Sequence, residues 1–360
     1  MRANSHFLPS LFLQICVNEN SLKMPMEQLM VSTEEISHSL NKRFKELKVV
    51  FSLIEQNVME GKKIMEATYN DLSRQVMAIV HIMHENLNDA SDLSKEKKDQ
   101  IIEEVRRFML PTILQTETTS RFYTKPLGYA GDFVAIENIY NCHEGGSTVI
   151  GKIVDRMHIE AQTALAVRNR RQLITNELCK IYQPNSPLSI LSIASGPARE
   201  IYDFYKRIDA KMVKTTLVDF DGEALSFCRK WIKENNWQNQ IATLQTSIMN
   251  LMVGRTPFVI EPQDAVYSIG VIDYFQDKHV VKLLDYIYGI LKPNGKVILG
   301  NFHKSNIFKE YMDNIMEWKL NHRSEDDMER LLLQSKFAQK GRIFFESSGL
   351  NMFLEGKKNE

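Results

Sequence analysis

The run Leu188-Ser-Ile-Leu-Ser-Ile-Ala-Ser-Gly-Pro-Ala-Arg-Glu200 is the stretch that most limits what this chain can become. An apolar segment of strand length ends in a turn of small residues, Ala194-Ser195-Gly196-Pro197, and continues into a helical pattern from Ala198 to Lys206. Strand, tight turn and helix in immediate succession form the opening unit of a parallel α/β sheet, whose ligands bind beyond the carboxyl ends of the strands.

The spacing of later features strengthens that reading. Thr215-Thr-Leu-Val218 is a second short strand and ends at Asp219-Phe220-Asp221. A carboxylate at the end of the second strand is suited to a ribose diol, because it accepts both hydroxyl protons. A pyrophosphate would want Gly-x-Gly-x-x-Gly, yet the corresponding positions here are Ala194, Gly196 and Arg199. With one glycine in three, a phosphate-free nucleoside fits better than a dinucleotide. Further strands are expected at Ile241–Gln245, leading into Thr246-Ser247-Ile248, at Asp264–Gly270, and at Gly295–Gly300 after the turn Leu291-Lys-Pro-Asn-Gly295.

In this order, the elements resemble the class I S-adenosylmethionine-dependent methyltransferases. The likeness rests on the glycine-bearing first turn, the acidic end of the second strand, Asp264-x-Val266 in the fourth and Leu-Lys-Pro-x-Gly before the fifth, and covers about Pro187 to Leu354. It implies an α/β fold with a Rossmann-like seven-stranded class I methyltransferase sheet. Gly341–Ser347 and Asn351–Gly356 would supply the last two strands as a hairpin, one of them antiparallel.

Ahead of the sheet the pattern is helical from about Thr33 to Leu110. Phe44, Leu47, Phe51, Ile54 and Val58 form one stripe, Ile64, Leu72, Val76, Ile79 and Met83 a second, and Ile101, Val105, Phe108 and Met109 a third, after the N-cap Ser94. These stripes read as a packed bundle, the alternative being an apolar lining in which Met59, Met65, Met77 and Met83 take part. A long helix is expected from Val149 to Tyr182, and further helices over Ile307–Leu320 and Glu325–Lys336. The domain plan is a disordered leader at 1–32, a helical bundle at 33–116, a substrate-side loop and connecting helix at 117–186, and the cofactor-binding domain at 187–360. Phe7–Val17 is apolar but about half the length that spans a bilayer.

Charge is balanced, 45 basic against 45 acidic residues, so there is no general electrostatic pull toward nucleic acid or anionic membrane. The run Arg168-Asn-Arg170-Arg171 reads as a solvated or ion-paired face. Cys16, Cys142, Cys179 and Cys228 are scattered, which indicates neither a disulfide framework nor a zinc site, and no metal is expected. A reducing cytoplasm is the simplest compartment, and a homodimer is an allowed state.

A narrower resemblance covers about Arg121 to Leu354. Lys125-Pro-x-Gly-Tyr-x-Gly-Asp132, Gly196-Pro-x-Arg-Glu200, Ser268-x-Gly-x-x-Asp-Tyr274 and Gly300-Asn-Phe-His-x-Ser-Asn306 occur together. They are similar to the bacterial methyltransferase family associated with biosynthesis of 3-hydroxypalmitic acid methyl ester, a diffusible signal. Asn250 departs from the acidic residue expected at its position, and Ala194 from the usual first glycine.

These resemblances imply S-adenosylmethionine as cofactor. Its amino-acid end would lie against Ala194, Ser195 and Gly196, with Glu200 near the ammonium, its ribose on Asp219 with Asp221 as the second choice, and its adenine beside Ser247 and Ile248. Gly270 would leave room for the methyl donor. On the acceptor side stand Asp273, Tyr274 and His303, with Asn301 nearby and the Tyr129–Asp132 turn as a lid. Structural readings stand beside these: Asp132 and Asp273 as helix caps, and His303 as a hydrogen-bonded residue. Small-molecule transfer is expected, with carboxyl O-methylation of a hydroxy fatty acid leading. The alternatives are N-methylation of a small amino acid or guanidino compound, and a cofactor-binding sensor that transfers nothing.

Overall fold

Leu188–Ile193 forms the central strand (β1) in a computed structural model of the chain, which describes residues 32–255 and 259–360. All of the expected leader but Ser32, including its apolar Phe7–Val17 run, lies outside the described residues. The remaining strands are β2 (Val213–Asp219), β3 (Ile241–Gln245), β4 (Gln263–Ser268), β5 (Leu291–Phe302), β6 (Arg342–Phe345) and β7 (Asn351–Lys357). They form a seven-stranded sheet in the order β3-β2-β1-β4-β5-β7-β6. Pairing is parallel from β3 through β5, whereas β7 runs antiparallel to both β5 and β6. This is the Rossmann-like class I methyltransferase sheet.

Strand β1 reads as a continuous apolar run because both its faces are covered. Ile190 packs into a core with Tyr267, Ile298 and Phe353, beneath helices that supply Ile174, Leu178, Ile201, Phe204 and Trp231. Leu191 and Ile193 face the other way, into a core with Val266, Leu299, Leu283, Leu284 and Leu331. The order reverses between β1 and β4, and that switch point opens a crevice at the carboxyl ends of the strands.

The chain divides into two compact units. The sheet unit comprises Gly131–Tyr140, Leu165–Asn306 and Lys319–Glu360, and the helical unit holds the described residues up to Ala130 with Asn141–Ala164 and Ile307–Trp318. The stretch 117–186 is thus shared between the two. In the helical unit Thr33–Met59, Glu66–Leu87 and Lys95–Ile113 are helices, the first closed by a capping box at Ser32 and the third capped by Ser94. Leu40, Leu47, Leu72, Ile79, Met83, Ile101 and Val105 are fully buried, and Phe44 stacks on Phe108. Met77 and Met83 belong to this core while Met59 and Met65 are exposed, so the four methionines form no common lining. Asp155 is buried and accepts from the backbone N–H groups of Thr118, Thr119 and Gly145, tying the Glu144–Ser147 turn to the start of the helix Thr118–Thr124.

Three expectations change. The long helix is two, Val149–Glu160 and Gln162–Ile181, broken where Ala161 turns extended; no glycine or proline marks the break, which falls just before the chain passes between units. Ile307–Leu320 is helical only over Lys309–Asn314, with Glu317 left-handed beyond it. Strand β5 begins at Leu291 rather than Gly295, because the Lys-Pro-Asn-Gly stretch stays in the sheet through a register shift opposite Gln263 and Ala265.

Candidate functional site

The first turn is built from left-handed residues. Ala194, Gly196 and Ala198 have φ values of 53°, 51° and 47°. Ala194 therefore holds the backbone conformation that a glycine would take at low cost, and two alanines carry the strain of keeping it. The turn is tied at several points. The Ser195 N–H donates to the Val218 carbonyl at 3.0 Å, and the buried Cys228 thiol donates to the Gly196 carbonyl at 3.3 Å. Nothing lies within 4 Å of where a side chain on Gly196 would begin, so its outer face is open to a ligand.

Asp219 closes β2 beside that turn. Its buried carboxylate accepts the Gly196 N–H at 2.8 Å and the Asp221 N–H at 2.9 Å, and burial raises its pKa. A carboxylate offers about four lone-pair sites, so capacity remains beyond these backbone donors for a ribose hydroxyl. Asp221 instead caps the helix Gly222–Glu234, accepting from Glu223 and Ala224. Ser247 caps the short helix Ile248–Met252 through the Asn250 N–H, and Ile248 packs against the core below. The residues expected around a nucleoside thus follow β2 and β3 at one end of the sheet.

Polar side chains are buried under the switch point. Glu200 accepts from the Tyr267 hydroxyl at 2.8 Å, and burial raises the pKa of both groups. Tyr140 is pushed up to about 12 by burial, an effect that the nearby Arg170 cation opposes. Arg170 is 7% exposed, and its terminal nitrogens lie 3.1 and 3.3 Å from where a Cβ on Gly270 would sit. Asp273, with a pKa raised to about 6 by burial, accepts the Phe302 N–H at 2.7 Å and so joins the end of β4 to the end of β5. It is a strand-end clasp and not the cap of the following helix, whose N-cap is Gln276.

On the acceptor side the nominated residues differ in their surroundings. His303 has both ring nitrogens engaged, Nδ1 with Ser305 Oγ at 2.8 Å and Nε2 with Glu325 Oε2 at 3.0 Å. Asn301 is buried, held by Arg323 through its carbonyl oxygen and donating to the Phe302 and Asn321 carbonyls. Asp132 is buried and caps the helix Phe133–Tyr140 by accepting the Ala135 N–H at 2.9 Å. Tyr274 is 41% exposed. Tyr129 sits in the helical unit, whereas the other nominated residues lie in the sheet unit.

Residues 190–295 match the family model described as a methyltransferase domain. The match spans the turn, the acidic end of β2 and the entry to β5. With the sheet order, it decides the class. The chain is an S-adenosylmethionine-dependent methyltransferase. No curated protein matches the chain. Among solved structures it is similar to a "possible exported protein" from Bordetella parapertussis, at 13% identity and a TM-score of 0.52, over 90% of this chain and 97% of that one. At that identity the likeness is one of fold. Magnesium protoporphyrin IX methyltransferase from Synechocystis aligns over 68% of this chain and 100% of its own, at 11% identity and a TM-score of 0.45.

Two further observations belong to the methyltransferase as a whole. Among the described residues, none of its helices is long and apolar enough to cross a membrane. Its site also holds a residue that sequence reasoning missed. The run Arg168–Arg171 suggested a solvated face, and Arg171 does pair with Asp203 at 2.7 Å, but Arg170 points inward. The available signal was its phase on the helix Gln162–Ile181, four residues before the buried Ile174.

Proposed function

We propose that this methyltransferase acts on a small molecule and methylates a carboxylate oxygen. When bound, the cofactor supplies a methyl group on a sulfonium, which an in-line nucleophile takes up. What the chain must then do is hold both partners, and such alignment supplies about 7 to 11 kcal/mol of a barrier. Asp219 orients the ribose, the open face of Gly196 receives the amino-acid end, Glu200 lies behind that turn, and Ser247 and Ile248 border the base. The fit is supported by the unfilled space at Gly196 and by carboxylate lone pairs left on Asp219.

The observation that carries the acceptor class is the engagement of both His303 nitrogens. With Asp132 also committed to a helix cap, two of the nominated acceptor-side residues have structural work, and an acceptor that is already ionised, needing no base, suits the site. His303 and Asp132 are then positioning residues. One observation favours nitrogen methylation instead: Asp273, at about 6, has a pKa near the range of an effective general base.

The test is transfer from labelled S-adenosylmethionine to hydroxy fatty acids and, separately, to basic amino acids. Label lost from the lipid pool in mild base is the methyl ester expected here. Base-stable label on an amino acid would replace this reading with the nitrogen one.

A further inference from the structure

Arg170 is a buried cation with no ion-pair contact among the described residues. Its neighbours in the sheet unit behave otherwise: Arg171 pairs with Asp203 at 2.7 Å, Arg199 with Glu137, and Arg323 with Asp277 at 3.0 Å. Arg170 is buried more deeply than Arg171 or Arg199, yet among the described residues no carboxylate lies within 4.0 Å of it. Glu200 and Asp273 are within electrostatic reach but unpaired with it, Glu200 accepting from Tyr267 and Asp273 from Phe302. The Arg170 Nε is also buried with no hydrogen-bond partner. A guanidinium carries five donors in a rigid fork, and burying it with no ion-pair contact is unfavourable unless something supplies an opposite charge.

Its position says where that charge enters. The terminal nitrogens stand over Gly270, two residues beyond the end of β4, and the missing side chain at 270 is the space they use. Alanine there would bring a Cβ within 3.1 Å of the guanidinium. This is the crevice side of the switch point between β1 and β4, where a ligand of the fold lies.

We propose that Arg170 is the carboxylate-binding residue of the site, its guanidinium taking up an anionic oxygen pair from a bound ligand at the end of β4. Planar, two-pronged recognition of a carboxylate is what arginine does better than lysine. Two ligands offer that group, the amino-acid end of the cofactor and the acceptor. The assignment to a cofactor carboxylate stands without any reading of the acceptor; the acceptor arm rests on the carboxylate reading given above.

The experiment uses the full chain and its Arg170→Gln and Arg170→Lys variants, with folding of each checked by its thermal transition. Calorimetry gives the affinity for S-adenosylmethionine and for its decarboxylated analogue, which lacks only the carboxylate. It also gives the affinity of the S-adenosylhomocysteine-saturated protein for decanoate and for decanamide. If the cofactor supplies the carboxylate, the wild type prefers S-adenosylmethionine over the analogue by about tenfold or more, Arg170→Gln brings that ratio below about threefold, and Arg170→Lys falls between. If the acceptor supplies it, the same collapse appears in the decanoate-to-decanamide ratio while the cofactor ratio holds. Each ratio is taken within one variant, so a general loss of stability cancels. Both ratios unchanged in Arg170→Gln would overturn the proposal. Absence of any base-labile methyl product, with the cofactor ratio collapsing as described, would remove the ester reading alone.

Discussion

The Asp219 carboxylate accepts the Gly196 N–H at 2.8 Å, so the acidic end of β2 fixes the turn that ends β1. The same carboxylate takes the Asp221 N–H at 2.9 Å through its other oxygen. One side chain therefore sets two adjoining loops at the switch point and also faces the space where a ribose would lie. Structure and binding are joined in it, which determines what its replacement does.

Asp219→Ala removes both acceptors and strands two backbone N–H groups, while Asp219→Asn keeps one acceptor oxygen. The expected losses in stability are about 1 to 3 kcal/mol for alanine and less for asparagine. Cofactor affinity should fall about tenfold or more in both, since an amide oxygen is a weaker acceptor than a carboxylate. Thermal melts and calorimetry with S-adenosylhomocysteine check this pair. Full affinity in Asp219→Asn would move the ribose to another residue.

Asp273 carries the clearest pH signature. Burial raises its pKa from 3.8 to about 6, so the folded protein binds this proton more tightly than the unfolded chain. Its contribution to stability is fully present below about 3.8 and is lost as the pH rises through about 6. Asp273→Asn retains an oxygen for the Phe302 N–H and cannot ionise. Relative to wild type, the variant should gain about 3 kcal/mol between pH 3.5 and pH 8. Denaturant midpoints across that range measure it, and a pH-independent difference would place the ionisation elsewhere.

His303 separates a base from a brace. With its ring held between Ser305 and Glu325, His303→Gln should leave the transfer rate within about threefold of wild type and lower stability by about 1 kcal/mol. General-base catalysis typically contributes a hundredfold or more, so a loss of about that size in kcat at unchanged KM would make His303 a base rather than a brace.

Local rules were enough for the elements that form from short stretches. The strand-turn-helix at Leu188–Tyr205, the boundaries of β3 and the terminal hairpin follow from apolar runs punctuated by turn residues, and the sheet order then follows from the family resemblance. Asp219 was legible because its place at a strand end implies its position in space. The residues that sequence reasoning placed poorly depend on distant partners. Asp273 shows its role only through Phe302, 29 positions away, and Ala161 breaks a helix that its own neighbours would continue. Arg170 looked like its neighbour Arg171 until the helix phase set one inward and the other against Asp203.

Asn351 tests whether another unmet polar group serves the site. It opens β7 opposite Phe302 at the end of β5, it is fully buried, and neither atom of its amide has a hydrogen-bond partner among the described residues. Its backbone N–H donates to Glu346 at 3.0 Å, and Glu346 also accepts from Asn169, next to Arg170. A buried amide without partners costs about 1 to 3 kcal/mol, so a side chain of similar size with no polar atoms should relieve it. Asn351→Leu is therefore expected to raise the stability of the ligand-free protein by about 1 to 2 kcal/mol. If the amide waits for a ligand, the same variant should weaken acceptor binding and leave cofactor affinity unchanged. Melting of the free protein and KM for the acceptor are the two readouts. A destabilised Asn351→Leu would mean that the amide is satisfied in solution, for instance by an ordered water, and would remove it from the list of ligand contacts.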